Sequence, residues 1–196
     1  MSNAFPRNVN GFPCLDPNNQ SLNPIPMADN DPVRGAYSLF IAGFVPVANT
    51  TDFLEIQGSS TKTIKIRQII LSGTATAASN ILPFILRRST TATGSTPTTQ
   101  ALAKRDPGND AATAVIRTFQ GSNPTTGTLV STVDGGRLNI APAANGGIDR
   151  CVFQFSWLNE QPLTLRGTSD FLCLNLAGAA WPAGGALDIA IALTEE

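Results

Sequence analysis

In the last third of the chain, apolar residues recur at every second position, and this period constrains the fold more than any other feature. Ala186 to Leu193 groups Leu187, Ile189, Ile191 and Leu193 on one face, with Ala186, Asp188, Ala190 and Ala192 on the other. A period of two belongs to a pleated strand with one face buried. Arg150 to Trp157 repeats it: Cys151, Phe153, Phe155 and Trp157 fall together, opposite Arg150, Val152, Gln154 and Ser156. Phe171 to Ala177 groups Leu172, Leu174 and Leu176. No stretch carries a convincing 3.6-residue apolar period, so helices are not expected.

Earlier runs rich in Val, Ile, Thr, Leu and Phe extend the pattern: Tyr37 to Val47, Thr51 to Gln57, Thr61 to Ser72, Ile81 to Arg88, and the short Pro162 to Arg166. Alternation fails after Gln68, where Ile69, Ile70 and Leu71 are consecutive. A bulge or a strand covered on both faces is expected there. Asp134-Gly135-Gly136 between Thr128 to Val133 and Arg137 to Ile140 predicts a hairpin. Residues 89 to 112, dense in Ser, Thr, Gly and Pro, predict a long excursion between core strands, and Ala111 to Gln120 fits strand or short helix equally. Eight to ten strands with such turns predict an all-β, jelly-roll-type two-sheet β-sandwich over residues 35–196. An immunoglobulin-like sandwich needs fewer strands in a shorter chain, and no fixed-period repeat points to a propeller or β-helix.

Residues 1–34 stand apart. Pro6, Pro13, Pro17, Pro24, Pro26 and Pro32 exclude a persistent helix or central strand. Phe5, Phe12, Leu15, Leu22, Ile25 and Met27 are more apolar than a flexible linker requires. An extended N-terminal arm lying on a neighbouring subunit is expected; a disordered leader is the alternative. Met1 to Asn10 is polar and holds Pro6, so it does not read as a secretory signal, and no run of eighteen apolar residues predicts a bilayer span.

Composition limits the chemistry. The 196 residues include no histidine, the formal net charge is −1, and charged residues make up only 14%. Imidazole-based catalysis and imidazole metal sites are excluded, and the electrostatic footprint of a nucleic-acid binder is missing. Glu55 and Glu160 are the only glutamates before the C-terminal pair, and no carboxylates show a glycosidase-like spacing. Asp29-Asn30-Asp31 and Asp106 to Asp110 lack the calcium-loop register. Asp134-Gly135-Gly136 and Asn145-Gly146-Gly147 lack the lysine and helix of a phosphate loop. Cys14, Cys151 and Cys173 form neither a disulfide framework nor a zinc motif. Buried thiols are expected, with Cys151 and Cys173 within reach only if their strands are neighbours. No enzyme, cofactor or metal is therefore expected.

Partner-binding candidates are the arm residues Phe5, Phe12, Leu15 and Ile25, the adjacent cations Arg87 and Arg88, and Trp181 in the uncharged loop AGAAWPAGG. The small face Ala186, Asp188, Ala190 and Ala192 is unusual for a solvated sheet and points to another sheet or subunit.

The segments DFLEIQGSSTKTIKIRQIILSGTATAAS, RDPGNDAATAVIRTFQGSNPTTGTLVST, PLTLRGTSDFLCLNLAG and the ending GGALDIAIALTEE resemble small tailed-phage virion structural proteins, over about residues 51 to 196. That resemblance implies a β-sandwich virion protein made in the host cytoplasm and located on the phage head surface. It implies a capsid decoration, or cement, protein, often a homotrimer, on the major capsid protein, or a neck or tail-tip component; from charge and hydropathy, no nucleic-acid or membrane partner is expected. The alternative is a tail or host-contact carbohydrate-binding module using Trp181 and the 89–112 excursion.

Overall fold

Each alternating run forms a strand because its apolar face can be buried only against a second sheet. The computed structural model describes residues 35–145, 149–155 and 161–196. In chain order the strands are β1 (Gly35–Phe44), β2 (Thr50–Gln57), β3 (Ile64–Thr74), β4 (Ser79–Ile81), β5 (Phe84–Arg88), β6 (Thr98–Gln100), β7 (Ala103–Lys104), β8 (Val115–Thr118), β9 (Leu129–Gly135), β10 (Leu138–Ile140), β11 (Arg150–Gln154), β12 (Leu163–Leu165), β13 (Phe171–Ala179) and β14 (Ala186–Glu195). The first sheet is ordered β11-β3-β14-β1-β7, with β12 also on β3, and the second is ordered β6-β8-β2-β13-β5-β9.

The pairing is nested. β1 lies against β14, β2 against β13, β3 against β12 and β11, and β5 against β9, all antiparallel. Successive pairs fall alternately in the first and second sheets. This is one long antiparallel hairpin rolled on itself, the jelly roll read from the sequence. The arm and its residues Phe5, Phe12, Leu15 and Ile25 lie outside the described residues, as do Cys14, Trp157 and Glu160.

The core lies between the sheets. On β14, Leu187, Ile189, Ile191 and Leu193 are at most 2% exposed. They share one cluster with Leu54, Ile56, Leu172 and Leu174 of the second sheet. The broken alternation in β3 is a bulge: Ile66 pairs with Leu193 and Gln68 with Ala192, leaving Arg67 as the extra residue. Ile64 and Ile66 before it, and Ile69 and Leu71 after it, are all buried, and Ile70 is turned to the outer face. β13 differs again. Every residue from Phe171 to Leu176 is buried, so this strand is covered on both faces.

One expectation is corrected. β10 does not form a hairpin with β9; it pairs with β4, and the two supply Ile81, Leu138 and Ile140 to the core. Gly136 makes the crossing possible. Its N–H bonds to Pro83 O, and a Cβ there would stand 2.4 Å from Cys151 Sγ. The chain therefore leaves β9 through a gap that only glycine fits. The 89–112 excursion runs between β5 and β8 and carries two short strands: β6 adds to β8 in the second sheet, and β7 adds to β1 in the first, while β8 itself adds to β2. The excursion thus crosses one edge of the sandwich. Glu195, fully buried at the end of β14, accepts the backbone N–H groups of Thr113 and Ala114, both at 2.8 Å, and ties the returning chain to the first sheet.

Candidate interaction surface

The outer face of the second sheet is roofed over β2, β13 and β5 by the flanks of the excursion, while its edge strand β9 is exposed along its length, Leu129, Val130 and Val133 included. Residues 89–97 and 119–128 meet in an isolated bridge at Thr93 and Thr125, and charged groups beneath hold them down. Glu55, with no exposed surface, accepts bonds from Thr91 Oγ1 and the Ala92 N–H, both at 3.0 Å. Arg117 Nη1 lies 2.9 Å from Glu55 Oε1, and its Nη2 donates to Gln57 Oε1 at 2.8 Å. Arg88 grips Asp52 through Nε–Oδ2 at 2.6 Å and Nη2–Oδ1 at 2.9 Å, and its Nη1 donates to Gly127 O at 2.7 Å. Asn175 Nδ2 donates to Asp52 Oδ1 at 2.5 Å. Each of these charges is spent on a neighbour within the chain, as buried ions must be.

Cys173 lies under the same roof. Burial first, then the Asp52 and Glu55 carboxylates, push its thiol far above the ordinary cysteine range. It stays protonated at neutral pH and is a poor nucleophile. Cys151 is a free thiol in the first sheet, so the two cysteines belong to different sheets rather than to neighbouring strands.

The sequence-predicted cations are thus absorbed by the fold. Arg88 is only 5% exposed. Arg87 is half-buried; its Nε lies 3.3 Å from Asp170 Oδ1, and its Nη2 donates to Thr164 O. Neither presents a free cation to a partner. Trp181 is half-buried against the core cluster, and its indole N–H donates to Gly185 O at 2.9 Å. The indole N–H is therefore already engaged within the chain.

The outer face of the first sheet has no such roof among the described residues. Registers across its strands align Val152 of β11, Ile70 of β3, Ala190 of β14 and Phe40 of β1 in one row. Phe40 is 68% exposed and Val152 48%. One row away lie Gln154, Gln68, Ala192 and Ser38; on the other side lie Arg150, Ser72 and Asp188. Shallow hollows of about 290 and 350 Å³ flank Phe40, floored by Ala190. Sequence reasoning found the small residues of β14 here but missed the row. The available signal was Val152, an apolar residue between Arg150 and Gln154 on the otherwise polar face of its strand.

No family model matches the chain, and no curated protein or solved structure matches it. Among the described residues no three His, Cys, Asp or Glu groups are placed to hold a metal ion, and no helix is long and apolar enough to cross a membrane.

Proposed function

We propose that this chain is a non-enzymatic structural protein of a phage virion, a capsid decoration protein that binds the major capsid protein at the head surface as a homo-oligomer. One observation carries the reading: the uncovered outer face of the first sheet. The chain folds back over the middle strands of the second sheet but leaves Phe40, Ile70 and Val152 outward on the first. A contiguous apolar row of this kind marks an association surface. The buried acids and cations support the same reading, because they hold loops in place rather than converge on a cleft.

The test uses phage heads assembled without this chain. Purified full-length protein added to them should co-sediment at a fixed ratio to the capsid subunit and raise the temperature at which the heads open. Failure to co-sediment would end the proposal. So would turnover of a glycan or peptide substrate that is lost in Glu55→Gln.

A further inference from the structure

We infer that the outer face of the first sheet binds the same face of a second copy, the two related by a two-fold axis running along the strands between β3 and β14. This deepens the homo-oligomer part of the proposed function and rests on that reading only for its biological setting.

The inference comes from how the face is divided. On β11 and β3 the outward residues are long: Arg150, Val152, Gln154, Gln68 and Ile70. On β14 and β1 they are short: Ala190, Ala192 and Ser38, with Phe40 the exception at the margin. One half of the face is high and the other low. A two-fold axis along the strands reverses every row. It sets Ile70 over the partner copy's Ala190, Gln68 over its Ala192 and Gln154 over its Ser38. Phe40 then stands against Val152 of the other copy. Across β3 and β14, and at Gln154, long side chains meet short ones, while Phe40 and Val152 make an apolar contact at each margin, as packing of two sheets about 10 Å apart requires.

Charge agrees with shape. Arg150 makes no side-chain hydrogen bond or ion pair among the described residues, and Asp188 uses only Oδ1, accepting the Gly43 N–H at 2.8 Å. Within one copy, Ser72 separates these two residues along the row. Reversal of the row brings Arg150 beside the other copy's Asp188, and by symmetry does so twice. At about 4.8 Å spacing, β1, β3 and β14, each about 30 Å long, and the shorter β11, about 17 Å, give a footprint of about 500 Å² per copy and about 1,000 Å² in all, which reaches the lower bound of a specific interface.

The experiment is sedimentation equilibrium and light scattering on the full chain. The wild type should be a dimer. Phe40→Glu, at an exposed position, should be a folded monomer. Arg150→Glu and Asp188→Lys should each weaken association about tenfold or more, because each sets two unfavourable contacts in the interface. An equimolar mixture of those two variants should regain wild-type association, since every cross-copy pair is then opposite in sign. A monomeric wild type, a trimer, or a mixture no tighter than its components overturns the two-fold pairing. The last result is also what coverage of this face by residues 1–34 would give. Head co-sedimentation is measured separately, so a trimer that still decorates heads refutes this interface and leaves the proposed function intact.

Discussion

Asp52 and Arg88 show how much this fold asks of single residues. They form a buried, bidentate ion pair, and Asn175 occupies a further lone pair of the carboxylate. Removing one partner leaves the other charge buried without compensation. Asp52→Ala should therefore cost about 3–5 kcal/mol of unfolding free energy, read from urea denaturation, with a much smaller added loss when Arg88→Met is combined with it. A loss below about 1 kcal/mol would show that water reaches the pair. Cys173 supplies a pH signature. Its thiol is held above its ordinary value of 9.0 in the folded state, by burial and then by the nearby carboxylates. The folded chain then keeps a proton that the unfolded chain releases. Stability from this group is complete below about pH 9 and falls as pH rises above it. Tyr37, raised by burial and then by Glu195 and Asp110, acts in the same direction. Cys173→Ala should flatten the alkaline side of the stability curve without abolishing its slope, and native Cys173 should not react with a disulfide reagent at pH 8 until the chain is unfolded.

At the level of elements, the sequence was most legible where strands are covered on one face only. The alternation of β14 and β11 predicted their inward residues, and the break at Gln68 left a bulge or a two-sided strand, of which β3 has the bulge. Legibility failed where partner choice depends on distant chain. Asp134-Gly135-Gly136 has the local chemistry of a hairpin, but β9 finds its partner in β5, whose residues precede it by about forty positions. The candidate surface was half legible, because β14 announces its small residues while the neighbours that complete the row come from β1, β3 and β11. Register, which no local window contains, brings Phe40 and Val152 into line. The glycine at the β9–β10 crossing gives a direct test. Gly136→Ala should destabilise the chain by about 1–3 kcal/mol through its clash with Cys151 Sγ. Cys151→Ala should recover part of that loss in a double-mutant cycle, and purely additive effects would place the strain elsewhere.

Taken as a whole, the molecule is held together by pairings between residues far apart in sequence, with Gly35 against Glu195 the widest. Closing such loops is slow, so refolding on the millisecond-to-second scale of non-local β topologies is expected from stopped-flow fluorescence. The core described here is contributed by residues from Tyr37 onward. Deletion of residues 1–34 should accordingly leave the far-ultraviolet β signature and the melting temperature nearly unchanged. If the arm lies on a neighbouring subunit, as the sequence predicts, the same deletion lowers retention on heads, whereas full occupancy by the truncated chain would assign that retention to the sandwich.

The nested ladder also has a mechanical consequence. Gly35 opens β1 beside Glu195 near the close of β14, so tension drawing these two points apart would peel the strands one rung at a time instead of shearing every rung together. A strap anchored only through the chain's extremities would be a weak link under the outward pressure of a filled container. Cohesion would have to come from broad lateral contact, where many atoms share the strain at once.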